Sequence, residues 1–562
     1  MIDSAHQVPR GSTISADVCV VGAGAAGITL ALSLSGRGMS VLLLEAGERT
    51  QDPRAQAHYE GEVTDERMHS PLHRYRLRGL GGSTSLWGGR CVPYDPIDFE
   101  ERTWVPCSGW PISYEGLLPY YAKANVWAEA GRFAYDARTA LPSAPPMFAG
   151  FDSEIVRTHG LERFSCPTDF GKRYRRRLEV APDVRVLSGA HCTAIRLHRD
   201  GEMVRSLDVA TLQGNRFHVA AKAVVLATGG LETARLMLHS SDVVPQGVGN
   251  QFDVVGRYYQ CHIAGNIGSL VVNGPVSQVA HGYEIAPDGV YCRRRMSIDP
   301  AQQRRHGLLN AVARLHFPKI TDPAHRNGVL SGLVLARSFI SYEYGKRLRE
   351  SQAMPPSVWA EHVLNVLRDP LDTTAFLAHW LRHRTFAQRK FPSVILRNRT
   401  NRFSLEFQSE QQPLPSSRVT LSPQLDALGM RRLRVDWRYC QADIESADRT
   451  LQLIAAELAR TGVGRLEYDP ETLERDLMRY GAYGGHHIGT ARMGTDPRTS
   501  VVDSDCRVHS VRNLYVAGSA VFPTSSQANP TLTILALALR LADRLTQRLQ
   551  PRRAAAQELY AS

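Results

Sequence analysis

No stretch of the chain carries the ~18 consecutive apolar residues that a membrane-spanning helix needs, which excludes an integral helical membrane protein. No Cys-x-x-Cys pair occurs. The nine cysteines, Cys19, Cys91, Cys107, Cys166, Cys192, Cys261, Cys292, Cys440 and Cys506, are odd in number and widely spaced. Neither a disulfide framework nor a zinc site is expected, and no metal is assigned; most of these thiols should be small buried apolar groups. The N-terminal "MIDSAHQVPRGSTISAD" lacks a basic cap followed by an apolar core, so no signal peptide is expected and the location is taken as cytoplasmic. Internal repeats and low-complexity tracts are absent. Acidic residues are in deficit, 55 against 67 Lys and Arg, for a net charge of +12. The basic clusters Lys172–Arg177, Arg293–Arg305 and Arg382–Lys390 sit in no recognisable nucleic-acid module. They read as solvated surface, and no nucleic-acid partner is expected. What remains is an ordinary soluble composition, 43% apolar and 22% charged over 562 residues, long enough for two domains.

The clearest signal is "ADVCVVGAGAAGITLALSLSGRGMSVLLLEAGERT". Val18 to Val21 read as a buried parallel strand. Gly22, Gly24 and Gly27 follow as G-x-G-x-x-G, Ala25 to Ser35 as a helix, and Met39 to Leu44 as the next strand, closed by Glu45. The chemistry of a dinucleotide explains the pattern. Gly22 permits the tight turn, Gly24 lets backbone approach a pyrophosphate, and Gly27 lets helix and strand pack closely. The helix N-terminus faces the phosphate charge. Glu45, 18 residues beyond Gly27, lies where a carboxylate accepts ribose hydroxyls. NAD and FAD both satisfy these features.

Two later segments repeat the strand–Gly–helix form. In "AAKAVVLATGGLETARLMLHS" Val224 to Leu226 are the strand, Gly229 and Gly230 the turn, and Glu232 to His239 the helix, preceded by a β-meander. In "NLYVAGSAVFPTSSQANPTLTILALALRLADRL" Leu514 to Ala517 are a strand and Gly518 a turn. Asn529 is an N-cap candidate, Pro530 an N1 residue, and Thr531 to Leu545 a buried helix. The expected fold is therefore α/β. A discontinuous Rossmann-like domain comprises 12–95, 185–260 and 476–548. The second domain, 96–184 and 261–475, has a mainly antiparallel sheet flanked by helices, and 549–562 form a tail. Residues 357–390 read as two amphipathic helices broken near Pro370, packing on the domain or on a second subunit of a homo-oligomer.

In order along nearly the full length, "VVGAGAAG…LLLEAG", "RGLGGSTSLWGG", "ATGGLETARLML", "VGRYYQCH", "EQQPLPSSRVTLSPQLDALGMRRLRVDW", "HHIGTARMG" and "ANPTLT" resemble the glucose–methanol–choline (GMC) oxidoreductases. The C-terminal half is most similar to the branch of pyranose oxidases and bacterial sugar oxidoreductases. The resemblance implies bound FAD, with Gly81, Gly82 and Ser83 along the phosphates and flavin, and Trp87 and Gly88 at the ring. It places Gly518, Pro530 and Thr531 at the cofactor and a backbone contact to adenine at Cys192. Pyranose oxidases carry a histidine, covalently linked to the flavin, just before that tryptophan; Leu86 stands there in this chain, so noncovalent FAD is expected.

The resemblance also resolves the doublet in "YGAYGGHHIGTARMG". The family's H-x-x-G-T pattern makes His486 the catalytic histidine, with Asn529 as its partner over the flavin. An imidazole takes the hydroxyl proton, an amide orients the hydroxyl, and flavin N5 takes the hydride. The last helix aims its positive end at the flavin. Gly485 and Gly489 should leave slack around His486. His487 is expected to be structural, with substrate contact as an alternative; Gln411 and Gln412 are candidates for substrate contact, and His262 is assigned a structural role. The implied activity is oxidation of an alcohol group of a sugar, glycoside or polyol, with oxygen or a quinone-like acceptor. The alternatives are a lyase with an idle flavin and an oxidoreductase of an aliphatic or sterol-like alcohol.

Overall fold

The structure, a computed structural model, describes residues 1–48, 50–339, 354–393, 396 and 401–550. Two large sheets organise it. The first has eight strands in the order Ile2–Ser4, Val184–Ser188, Val41–Glu45, Thr13–Val21, Arg216–Leu226, Val204–Ala210 and His191–Leu197, with Leu514–Val516 on the far edge of Arg216–Leu226. Its central strands are parallel. Val18–Val21, Val41–Leu44 and Val224–Leu226 are apolar and buried throughout, because helices cover a parallel sheet on both faces. Helix Ala25–Leu34 returns the chain between the first two of these strands, and Thr531–Leu549 packs on that helix.

The second sheet has nine strands, all paired antiparallel, in the order Gly464–Glu467, Gln260–Val272, Arg402–Ser409, Ala311–His316, Tyr291–Ile298, Val156–Phe164 and Arg90–Cys91. Tyr283–Ile285 and Tyr483–Ile488 attach at the side. Buried charge runs across it: Arg314 and Arg90 pair with Glu162, and Arg293 pairs with Glu406. Such charges persist in an interior only when paired. A third, three-stranded sheet joins Gly61–Val63 to Arg431–Asp436 and Arg418–Leu425. The segment 401–439 thus feeds two sheets.

Helices Pro356–Arg368 and Pro370–Trp380 meet at Pro370. Their amphipathic character is not that of a simple buried apolar face. His362 and Asn365 point inward, with His362 Nδ1 3.0 Å from Ser331 Oγ, while Leu367 and Leu371 are exposed. The last helix runs to Leu549, so it takes up the start of the segment expected as a tail; 551–562 lie outside the described residues. Among the described residues no helix is long and apolar enough to cross a membrane.

Candidate active site

One cavity of about 530 Å³ lies between the two large sheets, lined at one place by Gly22, Gly24 and Glu45 and at another by His486 and Asn529. Three helices begin on its wall: Ala25–Leu34, Gly229–His239 and Thr531–Leu549. None of the three has a side chain capping its first turn. Uncapped N-terminal N–H groups need an acceptor, and an anion such as a phosphate satisfies them.

The turn after the first strand is built for close approach. A Cβ on Gly22 would stand 2.7 Å from the Ala227 carbonyl oxygen, and one on Gly27 only 1.9 Å from the Gly22 oxygen, whereas one on Gly24 would meet nothing. Gly24 therefore opens onto the cavity, and Gly27 acts by packing, without lining it. Glu45 is buried, and burial raises its pKa. Its carboxylate accepts from the N–H groups of Ala23 (2.9 Å) and Gly47 (2.7 Å) and from the backbone of Gly79, and Glu45 lines the cavity. Gly82, Ser83, Trp87, Gly88, Cys192, Gly518, Pro530 and Thr531 line the same space. Gly81 does not. Its φ of +96° turns it toward Gly171, whose nitrogen a Cβ would approach to 2.4 Å, so it shapes the loop from behind. Trp87 is pinned by Nε1 donating to the Thr168 carbonyl at 2.9 Å.

His486 sits where strand Tyr483–Ile488 breaks register. Ile488 pairs with Gln260 and Tyr483 with His262, so four residues of one strand stand against one of the other. Bulges of this kind re-aim side chains. Gly485 and Gly489 adopt φ of +63° and +86°. They leave no slack: their Cβ atoms would lie 2.4 Å from Tyr75 Cβ and from the Tyr258 oxygen. The two histidines consequently diverge. His486 Nε2 is 3.3 Å from Asn529 Nδ2, and His486 Nδ1 is 2.8 Å from His262 Nδ1. His487 Nδ1 lies 2.6 Å from the Tyr259 hydroxyl, itself 2.8 Å from His69 Nε2. Burial holds both rings well below the ordinary histidine range, with further depression by nearby His262 and Arg90 for His486 and by Arg76 and His69 for His487. Both are neutral at pH 7.

Asn529 is not the helix cap. Pro530 occupies that position and Asn529 Nδ2 turns to His486. Gln411 and Gln412 do not line the cavity. Gln411 is fully buried, accepting from Cys261 N–H and Trp437 Nε1 and donating to the Arg438 carbonyl. The Gln412 N–H donates to Asp443 and its Nε2 to the Trp104 carbonyl. Both brace loops because that turn is covered by the segment around Trp437. His262, expected in a structural role, stands beside His486. Gly229 and Gly230, read only as a turn, line the cavity, as do Arg90 and Ser519. The repeated strand–Gly–helix form was the signal for the glycines. His69, Cys261 and His487 bring potential metal-ligand atoms within 4.8 Å of one another. The Tyr259 hydroxyl bonds to all three and already holds the centre of the group.

The family model described as FAD dependent oxidoreductase matches residues 17–330, and that described as GMC oxidoreductase matches residues 413–538. The chain is an FAD-dependent oxidoreductase of the GMC family. This GMC oxidoreductase is 25% identical to the 2-methyl-1,2-propanediol dehydrogenase of Mycolicibacterium austroafricanum, over 95% of each chain. It is 26% identical to the 6'''-hydroxyparomomycin C oxidase of Streptomyces lividus, over 96% of its own length and 93% of the other. Its fold is that of the crystal structure of pyridoxine 4-oxidase from Mesorbium loti, with a TM-score of 0.53, 20% identity, and coverage of 94% and 98% of the two chains.

Proposed function

We propose that this GMC oxidoreductase oxidises a CH–OH group of a sugar, glycoside or related polyol, with His486 as acid–base residue and Asn529 orienting the hydroxyl. The observation that carries the reading is the His486–Asn529 pair, 3.3 Å apart on the wall of the cavity that the three helix N-termini share. The residues fit FAD: the glycine turn, the uncapped helices and Glu45 would hold the dinucleotide, and Trp87, Gly88 and Gly518 the ring. Bound FAD supplies the acceptor for the two electrons leaving the alcohol carbon. His486 Nε2 takes the hydroxyl proton, and Asn529 Nδ2 donates to the alcohol oxygen. A ring held neutral is the form that accepts a proton.

Arg90, Tyr283, Arg293, His316 and Glu406 line the cavity on the side of the second sheet. Such a wall favours a substrate with several hydroxyls over an aliphatic or sterol-like alcohol. Two full-length relatives are named for 2-methyl-1,2-propanediol and for 6'''-hydroxyparomomycin C, which supports the same class. We read the first sheet with its helices as the FAD domain and the second sheet as the substrate domain. Leu86, on the cavity wall, has no nucleophile, and the FAD is noncovalent on this reading.

An anaerobic panel of sugars, glycosides and diols tests the proposal. Bleaching of the flavin by a polyhydroxylated member supports it; product formation without bleaching points to a lyase; bleaching by apolar alcohols alone overturns the substrate class. Reoxidation by oxygen against a quinone then fixes the acceptor. Acid precipitation should release yellow FAD into the supernatant.

A further inference from the structure

We propose that His262 is a positioning residue: it accepts the Nδ1 proton of His486 and so holds the Nε2 lone pair of His486 toward the cavity. The inference rests on the reading of His486 as acid–base group and adds how its tautomer is set.

The two Nδ1 atoms are 2.8 Å apart and the rings are nearly perpendicular, at 89°. Two nitrogens at that distance share one hydrogen, so one ring donates and the other accepts. The surrounding hydrogen bonds decide which. Gln408 Nε2 donates to the Gln527 carbonyl at 2.7 Å, which fixes its amide; Arg90 Nη1 approaches Gln408 Oε1 at 3.4 Å and agrees with that orientation. Gln408 Nε2 also reaches Asn529 Oδ1 at 3.5 Å. Asn529 therefore turns Nδ2, a donor, to His486 Nε2. A donor requires a lone pair opposite it, so His486 carries its hydrogen on Nδ1, and His262 Nδ1 is the acceptor.

His262 then bears its hydrogen on Nε2. That nitrogen is buried and meets no partner within hydrogen-bond geometry, but the backbone of Ser525, Ser526 and Ala528 near the ring favours the proton-bearing form. Burial nonetheless pushes the His262 pKa down to about 4, so the ring is a neutral acceptor and not a competing cation. When the substrate O–H bond breaks, the proton forms the Nε2–H bond of His486. The resulting cation keeps its Nδ1–H directed at the His262 lone pair. The other groups facing the pair are cations or neutral rings: Arg90, Arg314 and His487.

The test uses FAD-loaded protein labelled with ¹⁵N-histidine, the His486 signals being those lost in His486→Ala. Long-range ¹⁵N–¹H spectra should show His486 protonated on Nδ1 with a bare Nε2. His262→Phe, which has no acceptor, should move the proton to Nε2. His262→Asn, whose Oδ1 can stand in for Nδ1, should keep it. With whichever sugar or diol of the panel bleaches the parent fastest, His262→Phe should slow bleaching on the order of 10²-fold. Half-saturation should change little. His262→Asn should recover most of the rate. A parent spectrum showing Nε2–H on His486, or a His262→Phe enzyme with the parental rate, overturns the inference. If His486→Ala itself bleaches at the parental rate, the acid–base reading falls, whatever the spectra show.

Discussion

The nucleotide turn and the histidine pair are two ways of making a site. Residues 18–45 form theirs within one continuous βαβ unit, by spacing: three glycines, an apolar strand on each side and a terminal carboxylate. His486 comes from an irregular strand, Asn529 from the approach to the last helix, His262 from a strand of the second sheet and Gln408 from its neighbour. The first arrangement tolerates no added atom at Gly22 or Gly27, where backbone faces backbone. The second depends on proton positions and changes with the surrounding polarity. Steric sites should thus fail by losing the ligand, and protonic sites by losing rate while keeping it.

Gly27→Ala gives the largest effect on this view. Its methyl would collide with the Gly22 oxygen, and the purified protein should be colourless, with flavin absorbance as the measurement; normal FAD content would show that the turn yields. Next comes His486→Ala, which should keep the yellow colour and slow anaerobic flavin reduction by on the order of 10²–10⁴-fold in stopped flow. Asn529→Ala should slow the same step less. Because Pro530 holds the cap position, that variant should not show the stability loss of a missing cap.

Third is acid. An unfolded histidine takes up a proton near its ordinary 6.5, while folded His262 does so only near 4. His486 and His487 are depressed in the same direction. Below 6.5 the unfolded chain therefore binds more protons. The stability that His262 contributes as a neutral ring is complete above pH 6.5 and is lost as pH falls toward about 4. Tm should be flat from neutral to mildly alkaline pH and drop through that window, with a shallower drop in His262→Asn. Smallest in function is Gln411→Ala. It strands the Cys261 N–H and Trp437 Nε1 donors, costing about 1–3 kcal/mol, and should leave flavin reduction unchanged.

What could be read from sequence divides along the same line. The βαβ unit and its repeats were legible because helix and strand periods and glycine spacing are local. The pairing of His486 with Asn529 was legible through a family pattern. Gln411 and Gln412 misled because a polar pair in a turn looks exposed, whereas Trp437 and Asp443 cover it. Asn529 misled as a cap because Asn before Pro fits a helix start, and its amide instead follows a histidine from another strand. The roles of Gln408 and Arg90 had no local signal: each is one polar residue on a strand, and its meaning lies in the partner across the sheet.

Strand Leu514–Val516 pairs with Val224–Leu226 on the edge of the first sheet. During synthesis the earlier strands wait, one edge unpaired, until the last part of the chain leaves the ribosome. Contacts of such long separation form late, and an unpaired edge is a template for association with other chains. The interval between the two is therefore a window of aggregation. Chaperone supply and translation rate should govern how much yellow protein a cell yields, and FAD should be captured only after the last helix has docked.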